Sequence, residues 1–365
     1  MKFECTTTDF LGAVSLAARF VERRANLPVL SAVLLVAEKG RLTVRATNLE
    51  CGVEVVVEAK VTEGGVLAVP ASVLVGFLQN ARGKVVSAAL KGEVLKLETE
   101  RASASLKTIP HEDFPVLPKV SASSSFTLKA TDLVRGLRSV VHCASTSAVK
   151  PELQSVLMYA EGGKLITAGT DSFRLGEKVV PLRTGTTVPN LLLPARNAAE
   201  LIRIVESAGG DIEIYYNEHQ ISTHVGAVYY TSRLIDGAFP NYRQIIPKSF
   251  ETEAVVLRED LQQALKSLTV FSDKFLQVAL TIDPAAKSLL LVSRNPDVGE
   301  QTSTLRATVS GGGLSINFNS RYLADSLQAI SGESVRVQAN GPGKPILIKD
   351  AADQSYLYLA MPMNR

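Results

Sequence analysis

Apolar residues recur at spacings of three and four in six stretches of the chain, which puts each set on one helical face. Thr8-Asp9 precedes Phe10, Val14, Ala17 and Val21; Thr131-Asp132 precedes Leu133, Leu137, Val140 and Val141; Glu259-Asp260 precedes Leu261, Leu265 and Leu268. A Thr or Asp ahead of such a stripe is a helix start. A second helix in each third follows a Pro or Asn. Its stripe is Leu74, Phe77, Leu78 and Ala81, then Ala198, Leu201, Ile202 and Val205, then Leu323, Leu327 and Ile330. Between the helices lie alternating or continuous β runs, such as Val53-Glu54-Val55-Val56-Val57 and Val335-Arg336-Val337-Gln338-Ala339. Turn residues separate them: Glu63-Gly64-Gly65, Glu161-Gly162-Gly163, Gly311-Gly312-Gly313. Six helices among many strands predict an α+β fold, with helices on one side of antiparallel sheets.

The pattern repeats three times. Strand-like runs lead into Thr47-Asn48-Leu49, Thr170-Asp171-Ser172 and Asn295-Pro296-Asp297, steps of 123 and 125 residues. Val69-Pro70-Ala71, Leu193-Pro194-Ala195 and Phe318-Asn319-Ser320 keep nearly the same step. Phe114-Pro115-Val116-Leu117-Pro118 and Phe239-Pro240-Asn241-Tyr242 close the first two copies. A unit of this size is a domain, far longer than a solenoid repeat of roughly 20–50 residues. Expected domains are 1–118, 119–248 and 249–365, with links at Leu117-Pro118-Lys119, the serine-rich 121–125, and Ile246-Pro247-Lys248-Ser249. Three similar domains more often build a surface or ring than one catalytic cleft.

With 365 residues and 46% hydrophobic content, each third can bury a core. Cys5, Cys51 and Cys143 are too few and too scattered for a disulfide framework or zinc site, which fits a reducing cytosol. The N-terminus has no signal-peptide core, and no apolar run approaches the roughly 18 residues of a membrane span; a soluble cytoplasmic protein is expected. Net charge is +3, near balance, so any nucleic-acid binding must depend on how charge is spread over faces.

Enzyme signatures are missing. His111, His142, His219 and His224 form no ligand spacing, and there is no phosphate loop, dinucleotide fingerprint or nucleophile elbow. No catalytic residue, metal or cofactor is expected. Trp is absent, and in Tyr215-Tyr216 and Tyr229-Tyr230 strand alternation sends one ring of each pair to the core; stacking on single strands is not supported. The helix faces are polar and mildly basic: Ser15, Arg19 and Glu22 with Arg23 and Arg24 beyond; Ser72, Gln79 and Arg82; Arg135, Arg138 and His142; Arg196, Glu200 and Arg203; Gln262, Lys266 and Thr269; Arg321, Asp325 and Gln328. Singly each is a solvated face. Gathered on one concave side they would contact phosphates without reading bases.

The whole chain resembles the bacterial DNA polymerase III beta-subunit family, the sliding clamps. The resemblance rests on Arg24 with Leu27-Pro28-Val29-Leu30, Val69-Pro70-Ala71, Phe114-Pro115, Thr170-Asp171-Ser172-Phe173-Arg174-Leu175, Phe239-Pro240-Asn241-Tyr242-Arg243, Asn319 with Tyr322, and Met361-Pro362-Met363-Asn364-Arg365. It implies a head-to-tail homodimer closing a six-domain ring, helices inside and sheets outside, around duplex DNA. It implies a pocket between the second and third domains for short peptides of polymerase, clamp loader and repair proteins. By position that pocket comprises Leu153, Thr170, Ser172, Phe173, Arg174, Leu175, Pro240, Gln244, Ile245, Phe275, Asn319, Tyr322, Leu359, Ala360, Met361, Pro362, Met363 and Arg365. Leu153, Leu175, Ile245, Leu359, Met361 and Met363 would form an apolar groove, while Arg174, Asn319 and Tyr322 orient a peptide. DNA contacts would be Arg24, Arg82, Arg135, Arg138, Lys150, Arg196 and Arg203. The subunit interface would set Arg101, Ala104, Leu106 and Lys107 against Val270, Asp297 and Glu300.

Some positions depart from the family pattern. Ser172-Phe173 stands where some members have Gly-His, Gln244 where some have a basic residue, and Lys150-Pro151-Glu152 where some have aromatics at the DNA. Ala104 replaces what can be a large apolar residue. The competing readings are an enzyme on a repeated scaffold, for which no nucleophile or ligand cluster is evident, and a clamp-like interaction scaffold that does not encircle DNA.

Overall fold

The computed structural model describes residues 1–22, 27–120, 124–185 and 187–363. Arg24, Arg365 and residues 121–123 of the first expected link lie outside them. Among the described residues six α-helices form, two per third: α1 (Thr7–Ala17), α2 (Ala71–Asn80), α3 (Ala130–Val140), α4 (Ala195–Glu206), α5 (Arg258–Leu268) and α6 (Ser320–Ser326). They pack in pairs, α1 on α2, α3 on α4 and α5 on α6. On three helices the predicted stripe is the buried face: Leu133, Leu137 and Val140 on α3; Ala198, Leu201, Ile202 and Val205 on α4; Leu261, Leu265 and Leu268 on α5; Val141 falls beyond α3, and Phe77 of the α2 stripe is only half-buried.

Details differ at the ends. The cap of α1 is Thr6, whose hydroxyl accepts from the Asp9 amide at 3.1 Å, because the helix begins before Thr8. Val21 falls beyond its last turn. Tyr229 and Tyr230 are both buried, contrary to the alternation argument. Tyr229 escapes solvent because its ring lies 4.7 Å from that of His224 and its hydroxyl donates to Pro118 O at 2.7 Å.

Among the described residues the strands of every sheet pair antiparallel. The chain divides into two compact units, Met1–Thr127 with Ser207–Leu234, and Leu128–Glu206 with Ile235–Arg365. This division follows the sheets and not the sequence repeat. In the first unit, strand Val228–Arg233 from the second copy pairs with Cys51–Glu58 from the first, Thr231 opposite Gly52 and Ser232 opposite Cys51. In the second unit, Arg174–Pro181 pairs with Tyr356–Ala360 from the third copy, Leu175 opposite Leu359. Among the described residues, sheets of eight and nine strands therefore run across the repeat boundaries, beside sheets of five and four. Continuous pairing leaves few exposed strand edges. Among the described residues no helix is long and apolar enough to cross a membrane.

Candidate functional site

The turn after strand Lys164–Thr170 is set by two side chains. Thr170 Oγ1 donates to Arg174 O at 2.7 Å and accepts from the Ser172 amide at 3.2 Å. Asp171 Oδ1 accepts from the Phe173 and Arg174 amides, both at 2.9 Å. These short side chains compete with regular backbone bonding and so close the turn. Closure puts Ser172 in the left-handed region, φ 78°. The next two side chains part company. Phe173 is 62% exposed. Arg174 turns inward, donating from Nε to Asp171 Oδ2 at 2.9 Å and from Nη1 to Asp325 Oδ2 at 2.6 Å, with its guanidinium 4.5 Å from the Tyr322 ring centre. This ion-paired cluster is nearly buried, with satisfied hydrogen bonds and cation–π contact.

The C-terminal segment supplies the facing wall. Met361 N donates to Phe173 O and Met363 N to Asn317 O, both at 2.8 Å, so Met361-Pro362-Met363 is tied down at two points. Ile245, 53% exposed, ends the short 3-10 turn Tyr242–Ile245; Pro240 and Gln244 are exposed beside it. Phe275 is exposed ahead of strand Gln277–Asp283, whose Gln277 pairs with Asn319.

Three groups of the expected pocket residues are engaged within the chain itself. Leu153, Leu175 and Leu359 are buried. Leu175 and Leu359 share a core with Leu157, Ala168, Leu192, Tyr242 and Leu347, against which Met361 packs. They form a floor, and the exposed apolar surface belongs to Phe173, Ile245 and Phe275, with Met361, Pro362 and Met363 partly covered. Arg174 is engaged within the chain and acts as a clamp. Asn319 Oδ1 is also engaged, accepting from the Arg321 and Tyr322 amides as the cap of α6.

The sequence marks Tyr242 and Arg243 only through the family motif and leaves their partners Glu177, Glu161 and Tyr159 unmarked. Tyr242 donates to the Glu177 carboxylate, and its hydroxyl lies 3.2 Å from that of Tyr159. Arg243 reaches Glu161 at 3.1 Å and Glu177 at 3.8 Å. Together these fasten the 239–246 segment to the sheet. His142 stacks on Tyr358 at 6.1 Å; burial lowers its pKa against the opposing pull of Asp325.

Models of the DNA polymerase III beta subunit match successive parts of the chain: the N-terminal domain over residues 1–118, the central domain over 127–241 and the C-terminal domain over 243–364. A beta sliding clamp of Synechococcus elongatus is 31% identical, covering 100% of this chain and 99% of its own length. The chain belongs to the beta sliding clamp family. The Escherichia coli K12 beta sliding clamp is 29% identical with both chains fully covered. A crystal structure of a Pseudomonas aeruginosa sliding clamp bound to griselimycin is 27% identical, with TM-score 0.93 and 100% of each chain covered. The three-domain clamp fold and a role in DNA polymerase processivity follow.

The remaining predicted residues of this clamp divide into helix faces and sheet edges. Arg135, Arg138, Arg196 and Arg203 are exposed on the paired helices α3 and α4. Their charge is partly balanced: Arg138 lies 2.9 Å from Glu206, Arg203 3.9 Å from Glu200, and Arg135 3.9 Å from Asp132. Arg82 and Lys150 are exposed. Strand Ser103–Lys107 ends the five-stranded sheet and Gly299–Arg306 ends the four-stranded one. Arg101 and Lys107 are exposed beside the first edge; Val270, Asp297 and Glu300 are exposed beside the second. Ala104 is half-buried. Leu106 is buried within its own chain, so a charge placed there tests folding before it tests association.

Proposed function

We propose that two copies of this clamp close head to tail into a ring around duplex DNA, helices inward, and that replication and repair proteins dock short peptides beside Phe173 and Met361. The ring acts by encirclement and has no catalytic step of its own. Its place is the bacterial cytoplasm. Polymerase is the principal client; the clamp loader and repair proteins use the same surface. The domain limits 1–118, 119–248 and 249–365 are part of this reading.

The observation that carries the docking site is the doubly tied C-terminal wall facing an exposed aromatic. Chain ends fray unless they are held. Here Met361 and Met363 are held by backbone bonds, and Met suits a surface that must accept several peptides. Deletion of residues 361–365 removes that wall and leaves all six helices. Binding of a fluorescent polymerase-tail peptide should weaken at least about thirtyfold, the loss of roughly 2 kcal/mol at a groove hot spot. Affinity within about twofold of the intact chain would refute the site.

Two open strand edges support the head-to-tail contact, with Arg101 and Lys107 beside one and Asp297 and Glu300, the latter paired with Arg294, beside the other. Arg101 and Lys107 would approach Asp297 and Glu300 of a second copy, completing a sheet across the interface. The mildly basic, partly neutralised helix faces favour topology over tight grip. Clamp loaded on closed circular DNA should survive high salt and leave when the circle is cut, whereas phosphate contact alone would fail with salt. Equal retention on circular and linear DNA would overturn encirclement.

A further inference from the structure

The turn at the junction of the first and second copies reproduces the one beside Phe173. Thr47 Oγ1 donates to Cys51 O at 2.9 Å and accepts from the Leu49 amide at 3.0 Å. Asn48 Oδ1 accepts from the Glu50 and Cys51 amides at 3.1 and 2.9 Å. Leu49 has φ 72°, the counterpart of Ser172. Arg233 N donates to Glu50 O at 2.8 Å, as Met361 N does to Phe173 O. The strands behind the two turns pair alike, Cys51 opposite Ser232 and Arg174 opposite Ala360.

This first turn borders a surface groove of about 190 Å³, with Leu49, Cys51, Val116, Leu117, Gln220 and Arg233 among its lining. Leu49 is 48% and Val116 91% exposed, two apolar side chains of its lining. We propose that this groove is a second, weaker docking site for an acidic extended peptide carrying an aliphatic or aromatic anchor. The inference rests on the reading of the Phe173 site as a peptide site, since the shared frame is what suggests the ligand class. Size restricts the occupant: the groove is smaller than small-molecule sites of roughly 300–1,000 Å³ and has room for one or two side chains. Charge selects the flank. Arg233 lines the groove and Lys119 comes directly after Pro118 of its wall, both exposed, with Glu50 the acidic side chain of the lining. An extended peptide can use the rim's backbone groups and put its anchor between Leu49 and Val116.

The test is calorimetric titration of the intact protein with a decapeptide in which a leucine-phenylalanine pair is flanked by aspartates. Two sites per protomer are expected. Deleting residues 361–365 should remove the tighter one. The double variant Leu49→Asn, Val116→Ser should weaken the other at least fivefold and leave the tighter one within twofold. Both positions are exposed and Asn accepts a left-handed backbone, so folding is preserved, and a melting temperature no lower than that of the intact protein verifies it. A stoichiometry of one per protomer, or a second site within twofold of normal in the double variant, overturns the proposal. A response to the double variant, with neither site touched by the deletion, would refute the Phe173 site and uphold this one.

Discussion

At the first junction the fifth residue of the turn is Cys51 and the sixth Gly52; at the second they are Arg174 and Leu175. The same Thr and Asx side chains close both turns, so the backbone frame is indifferent to the identity of these fifth and sixth residues. They decide instead how each junction is held. Arg174 reaches Asp171 in its own turn and Asp325 on α6, tying the second copy to the third by charge. Leu175 then seals the floor. Gly52, in the place of Leu175, has no side chain, and its bare backbone lets Leu117 of the linker lie directly on it. One junction is clamped through a polar side chain. The other is packed by close approach.

The clamp is the place to break this difference. Arg174→Ala would strand Asp171 and Asp325, both largely buried, and removal of one partner from such a pair costs about 3–5 kcal/mol. Cys51→Ala deletes one small buried group and should cost about 1 kcal/mol. Urea unfolding of the two variants should differ by at least about 2 kcal/mol. Similar losses would mean that charge does not hold the second junction.

Packing gives the next contrast. At Gly52 an added methyl group would overlap the Leu117 side chain and come within 3.3 Å of Ala46 O. Gly52→Ala should therefore cost about 1–3 kcal/mol through overpacking. Leu175→Ala instead leaves a cavity beneath the Phe173 site, at about 2–5 kcal/mol. Restoring room with Leu117→Ala should rescue part of the Gly52→Ala loss and none of the Leu175→Ala loss. Additive losses at Gly52 and Leu117 would show that they do not share one space.

How much of this is legible in the sequence depends on distance along the chain. The helix stripes and the repeat are local or periodic, and α3, α4 and α5 bury the residues their spacing predicts. The family resemblance supplies positions for the Phe173 site. Side-chain direction is less accessible. Leu153, Leu175 and Leu359 are apolar in the sequence whether they line a groove or underlie it, and it is long-range pairing that puts Leu175 and Leu359 into one core. Arg174 reads as a ligand group because its partner Asp325 is 151 residues away and carries no local mark. The same holds for Tyr242 and Glu177. The first-junction groove is hidden for the opposite reason: its turn reads as a repeat marker, and its wall at 115–118 as a domain link.

A pH experiment sharpens the comparison further. His142 stacks on Tyr358 at the second junction, near Asp325, Arg174 and Asp171, and burial lowers its pKa. The unfolded chain, with a histidine pKa near 6.5, then binds the proton more readily. Its stabilising effect is complete above about pH 6.5 and is lost as pH falls through the lower folded value. At the first junction His219 is exposed. Unfolding free energy measured from pH 7.5 down to 5 should fall, and His142→Phe should flatten that part of the profile. An unchanged slope in the variant would place the acid response elsewhere.

The smallest effect expected concerns the frame that both junctions share. Leu49 and Ser172 each hold a left-handed backbone, which costs an ordinary side chain roughly 1–2 kcal/mol and Asn less, since its short amide bonds locally. Neither side chain repays that cost in the core: Leu49 is half-exposed, and Ser172 contributes its amide, which any residue retains. Leu49→Asn and Ser172→Asn should each raise stability by about 0.5 kcal/mol and in equal measure, because the same hydrogen bonds fix both turns. Melting temperatures would move up by a degree or two for a chain of this size. A gain at Ser172 with a loss at Leu49 would mean that the exposed leucine already has a covering contact in solution, and that the two turns are alike in backbone but not in occupancy.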